Sequence, residues 1–154
     1  MKWGQGRADI ERMISAGELQ RVPASREFAD GLLDQARAHL GSGERIKDED
    51  AHGAYVLVYD AARKALAAVL ENQGLRATSR GGHVALGQAV RAQLDPPMGS
   101  ALRPFERMRR RRNTIEYAPA DTPRTTAQDV ADDLPKARAL IDLAATLLDE
   151  MSPW

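Results

Sequence analysis

At 154 residues, with no cysteine and with 22 basic side chains against 22 acidic ones, the chain suits one domain that buries roughly two-thirds of its unfolded surface without disulfides or thiolate metal sites. The net charge of zero excludes any global attraction to nucleic acid, so such affinity has to come from a local cluster. The N-terminus has no apolar core of a signal peptide and no apolar run approaches the roughly 20 residues that span a bilayer, so the expectation is a soluble, cytoplasmic protein with no membrane partner.

Aromatic residues make up only 5% of the chain, which favours close helix packing over strands. In chain order, ADIERMISAGEL places Ile10, Met13, Ile14 and Leu19 at helical spacing, with Gly17 as a stop. A second helix follows, with Ser25 as N-cap, Phe28, Leu32, Leu33, Ala36 and Leu40 as its apolar stripe, and Gly41 at its end. The third runs from about Asp48 to Gln73. Its Asp48, Glu49 and Asp50 meet the positive end of the helix dipole, and Ala51, Tyr55, Val58, Tyr59, Ala62, Leu66, Val69 and Leu70 form its packing face.

Gly74 breaks that helix, and another starts near Ser79 and ends before Pro96 and Pro97, packing through Val84, Leu86, Val90 and Leu94. Its opening, Arg80-Gly81-Gly82-His83, has the composition of a turn that lets backbone approach a phosphate, although glycines are common in ordinary loops too. The last helix begins at Thr126 and Asp129, an acidic capping box, and is lined by Val130, Leu134, Ala137, Leu140, Ile141, Ala144, Leu147 and Leu148. Pro135 is expected to kink or divide it. The whole reads as a single all-α domain over residues 1–154, an antiparallel bundle of four to five helices.

The segment RPFERMRRRRNTIEY, Arg103 to Tyr117, concentrates six arginines in one helix, which starts at Gly99 or Ser100 and ends near Tyr117. At 100° per residue, Leu102, Phe105, Met108 and Ile115 define a buried face, and Arg109, Arg112 and Glu116 fall on that same face. Arg103, Arg107, Arg110 and Arg111 fall toward the outer side, where they create a positive field suited to phosphate. Arg112 and Glu116 stand one turn apart and can pair, and Asn113 and Tyr117 add neutral polar groups beside them. A plainer account makes Arg109, Arg112 and Glu116 an ion-pair network that fixes helix packing.

His39, His52 and His83 are scattered without the spacing of a metal site, the serines lack a nucleophile elbow, and no glycine-rich phosphate loop ends in Gly-Lys-Ser or Gly-Lys-Thr. No metal and no cofactor are expected.

Arg112-Asn113 followed by Tyr117, at the end of the penultimate long helix of a bundle, resembles the HEPN superfamily (higher eukaryotes and prokaryotes nucleotide-binding). It is closest to a bacterial subfamily carrying RRxRNxxEY near a stretch like GLRATSRGGH. The resemblance implies a HEPN-like bundle and a homodimer whose paired motif helices form a cleft. In many members that cleft is a metal-independent endoribonuclease acting on RNA. Its catalytic residues would be Arg112, Asn113, Glu116, Tyr117 and a spatially adjacent His83, with Arg107, Arg109, Arg110 and Arg111 binding RNA phosphate. Tyr117 occupies the place of the family's motif histidine, and an ordinary phenol, with a pKa of about 10, is a poor proton shuttle at neutral pH. The resemblance also implies a toxin-antitoxin setting with a cognate nucleotidyltransferase antitoxin as partner. The alternative is a catalytically silent HEPN dimer that binds a nucleotide or a protein.

Overall fold

The computed structural model describes residues 3–117 and 119–154 and contains, among them, six helices and two short strands. In order they are α1 (Arg7–Ser15), β1 (Leu19–Arg21), α2 (Arg26–Ile46), α3 (Ala51–Gln73), β2 (Leu75–Ala77), α4 (Gly82–Leu94), α5 (Gly99–Tyr117) and α6 (Ala127–Glu150). The mostly helical class matches the expectation from composition and periodicity. Among the described residues no helix is long and apolar enough to cross a membrane.

The central element is α3. Alanines at 54, 61, 62, 65 and 68 are fully buried and let neighbouring helices approach closely, while Tyr55, Val58, Tyr59, Leu66, Val69 and Leu70 fill the space between them. α2 lies antiparallel to α3, as the facing pairs Gly43 with Ala54 and His39 with Asp60 show. α5 is also antiparallel to α3, since Tyr59 stacks on Phe105 near one end and His52 meets Glu116 at the other. α6 runs in the same direction as α3, with Asp133 beside Tyr55 and the Leu148 carbonyl beside Asn72.

Local chemistry explains the helix ends. The Ser25 hydroxyl accepts the Phe28 amide, the Asp50 carboxylate accepts the Gly53 amide, and Thr126 and Asp129 form the reciprocal capping box. Gly74 closes α3 in the left-handed conformation at φ 87°, with its amide bonded to the Glu71 carbonyl.

Three expectations change. α2 does not stop at Gly41 but continues to Ile46, because Gly43 is needed inside it: a Cβ there would lie 3.1 Å from the Ala54 carbonyl oxygen. α6 is not divided at Pro135 but runs through it as one helix, with the proline on the exposed face. The antiparallel ladder of β1 and β2, pairing Leu19 with Ala77 and Arg21 with Leu75, was invisible to periodicity because each strand has only three residues. It places Leu19 and Leu75 in the core and ties α1 to the start of α4.

Candidate functional site

The region around the buried face of α5 sorts the arginines differently from the helical wheel. Arg107, expected outside, turns toward α6 and donates two bonds to Asp133, at 3.2 and 2.5 Å. Asp133 is 1% exposed and also accepts the Tyr55 hydroxyl at 2.6 Å. Arg111, also expected outside, reaches Asp129 at 2.6 Å and lies over the Tyr55 ring. The correction has a simple cause: α5 is flanked by α6, so that part of its outer side is an interhelical seam rather than water. Among the described residues Arg103 and Arg110 form no ion pair, and both are exposed.

On the inner seam, Arg109 is held by Glu106 of its own helix through bonds of 3.0 and 2.6 Å. Glu116 does not pair with Arg112; its carboxylate meets His52 at 3.2 Å instead. The network of Arg109, Arg112 and Glu116 is therefore not what joins the helices. That work falls to Arg107 with Asp133 and Arg111 with Asp129 toward α6, and to Glu116 with His52 toward α3. Asn113 is half-buried, and Tyr117 is 78% exposed at the end of α5, without a hydrogen bond among the described residues.

Arg112 has no carboxylate within ion-pair distance among the described residues, and its charge pulls down the pKa of two groups, Tyr59 and His83. His83, the second residue of α4, places Nδ1 2.7 Å from the Tyr59 hydroxyl. Tyr59 is 2% exposed and stacked on Phe105, ring centroids 5.6 Å apart. Burial pushes the Tyr59 phenol well above its ordinary value, against the pull of Arg63, Arg109 and Arg112, so it stays protonated. Burial, then Arg63 and Arg112, lower the pKa of His83, and the ring is neutral near pH 7.

The proton count then determines the character of the site. The buried Tyr59 hydrogen has no acceptor other than His83 among the described residues, so the hydroxyl donates to Nδ1 and the neutral imidazole carries its own hydrogen on Nε2. Among the described residues neither the His83 Nε2 hydrogen nor the Arg112 guanidinium has an acceptor. Around them, Arg63 donates to Asp60 at 2.8 Å, and Lys64 lies 3.2 Å from the same carboxylate and 2.6 Å from His39. Burial would raise the pKa of Asp60, but Arg63 and Lys64 outweigh it and hold the carboxylate ionised. Four cations, Arg63, Lys64, Arg109 and Arg112, thus meet two carboxylates, Asp60 and Glu106, and the surplus is positive. Such a site suits an anion with several acceptor oxygens.

Periodicity had placed Tyr59 in the core and passed over Asp60, Arg63 and Lys64. The available signal was three charges at 60, 63 and 64 in the middle of a helix that is apolar on either side of them. An open cavity of about 710 Å³ lies elsewhere, among the start of α3, the end of α5 and the loop at 119–125. Acidic Glu49 and Asp50 share its lining with Arg111 and Arg124, so it has no dominant sign of charge. Comparison of the chain with family models, with curated proteins and with solved structures gives no match.

Proposed function

We propose that the chain is a HEPN-like RNA-binding protein that grips a phosphodiester between Arg112, His83 and the neighbouring Arg63 and Arg109. The observation that carries this is a pair of donors without acceptors among the described residues, the Arg112 guanidinium and the Nε2 hydrogen of His83, in a locally cationic setting. In this reading Arg103 and Arg110 add attraction that is independent of sequence. Two copies pair in a homodimer through the ends of α5, so that each phosphate site faces a shared cleft.

Metal-independent endoribonuclease activity is the second reading, favoured by the neutrality of His83, the state a general base requires. With the imidazole hydrogen moved to Nδ1 and the Tyr59 oxygen turned to accept it, Nε2 would take the proton of the ribose 2′-hydroxyl as its oxygen attacks phosphorus and return it to the 5′-oxygen as the P–O5′ bond breaks, while Arg112 would stabilise the charged phosphorane. Tyr117, 78% exposed and without a hydrogen bond among the described residues, contributes less to that chemistry than His83. The catalytic set of this reading is His83 and Arg112, with Asn113 beside them.

The experiment is binding and cleavage of single-stranded RNA at low salt, with and without EDTA. Binding without cleavage supports the phosphate-gripping module, and EDTA-resistant cleavage abolished by His83→Gln supports the nuclease. No binding by wild type rejects both.

A further inference from the structure

His83 and Arg63 also border a second space. An open cavity of about 410 Å³ lies between α2, α3, β2 and α4, within the roughly 300–1,000 Å³ range of small-ligand sites. Its walls are apolar: Leu32, Ala67, Leu70, Leu75 and Leu86. At its lip stands Phe28, which helical spacing assigns to the core but which is 49% exposed. Full burial of such a ring is worth roughly 1.5–3 kcal/mol, so an aromatic face left in water beside a cavity is a surface with stabilisation still to gain.

The charges around this cavity are arranged unequally. Arg76 lies over the Phe28 ring at 5.8 Å, but Glu71 neutralises it through two bonds of 2.6 and 3.2 Å, and the β2 side of the cavity has no net charge. At the other end Arg63, itself bonded to Asp60, and His83 line the cavity, and the charge of Arg112 acts on His83. Ser79 supplies a hydroxyl on the lining, whereas that of Thr78 is engaged with the Gly17 carbonyl and the Gly81 amide. A flat, uncharged, largely apolar body with polar edges fits the first part, and an attached anion fits the second.

We infer that this cavity is a base-binding subsite, taking the unpaired nucleobase adjacent to the phosphate held at His83 and Arg112. It rests on the phosphate-site reading for the position of the anion. Phe28 supplies the stacking face, on the side of its ring opposite Arg76. Bases are recognised by stacking on aromatic and guanidinium planes in single-stranded nucleic acid, which makes the occupant unpaired RNA rather than duplex.

Isothermal titration of the full chain with adenosine and uridine 5′-monophosphates, the corresponding nucleosides, and inorganic phosphate tests this. Phe28→Ala should weaken monophosphate binding about 5- to 150-fold, the equivalent of ~1–3 kcal/mol for one stacked base, and leave inorganic phosphate within twofold. Phe28 is half-exposed, so the variant keeps the fold, and Ala67→Leu, which fills the cavity while retaining the phenylalanine, should have the same selective effect. Arg112→Gln should weaken phosphate and monophosphates together and spare nucleosides. If nucleosides bind and lose affinity in Phe28→Ala while no phosphate binds, the base subsite stands and the phosphate reading fails. Monophosphates that bind no better than inorganic phosphate, or that are unaffected by both cavity variants, overturn the base subsite and leave the phosphate site untouched.

Discussion

The Arg107 guanidinium on α5 clamps the Asp133 carboxylate on α6 through two bonds, and Asp133 is almost entirely buried. Removing the arginine would leave a carboxylate in the interior with only the Tyr55 hydroxyl and the more distant Lys136 to hold it. Breaking a buried pair costs about 3–5 kcal/mol, and because the Arg107 side chain is 44% exposed the lower end applies. Arg107→Met should therefore lose about 3 kcal/mol in urea unfolding, whereas Arg110→Met should stay within about 0.5 kcal/mol. Equal losses in the two variants would show that the α5–α6 seam is not held by this pair.

Acid sensitivity follows from the same carboxylate. Burial would raise the pKa of Asp133, but hydrogen bonds from Arg107 and Tyr55 outweigh it, and the folded value lies below the ordinary 3.8. A depressed carboxyl contributes stability that is fully present above the unfolded value and is lost as pH falls through the folded one. Unfolding midpoints in urea should fall below about pH 4 more steeply in wild type than in Asp133→Asn. Parallel acid limbs would remove Asp133 from the account.

His83 has the opposite charge type, and its folded pKa is lowered from 6.5. Below 6.5 the unfolded chain binds a proton that the folded site resists, so stability rises with pH through this window and declines as the solution is acidified. Between pH 7.5 and 5.5 wild type should lose more stability than His83→Gln. Proton NMR of the imidazole would give the titration directly, and a midpoint above 6.5 would contradict the site's geometry.

For RNA binding, Arg112→Lys keeps the charge and removes the planar fork that can grip two phosphate oxygens. The variant should stay folded, since Arg112 pairs with no carboxylate among the described residues, and should bind single-stranded RNA about tenfold more weakly. If wild type cleaves RNA, the rate should fall about a hundredfold or more. A variant that binds and cleaves like wild type would move the phosphate site elsewhere.

Reversal of the exposed arginines tests the outlying field. Arg103→Glu with Arg110→Glu should leave unfolding unchanged and reduce the salt slope of RNA binding by up to about 1.4, at ~0.7 per phosphate contact on a single strand. Reversal of Arg107 and Arg111 is not a clean test, because it also breaks their contacts with Asp133 and Asp129. An unchanged slope would mean that Arg103 and Arg110 form only a solvated face.

From the order of residues alone came the helical class, the segments themselves, the caps at Ser25 and Thr126, the stop at Gly74 and nearly all of the α6 core, because each depends on neighbours within one or two turns. The same local information singled out Arg112 and His83. It could not show that Tyr59 joins them, that Arg107 and Arg111 turn toward α6, that Glu116 prefers His52, or that Phe28 is left half in water. A helical wheel gives an angle around one axis and nothing about which element arrives at that angle. Arginine side chains long enough to bend from one side of a helix to another then choose the nearest buried carboxylate, and only the packing of α3, α5 and α6 decides where that carboxylate is.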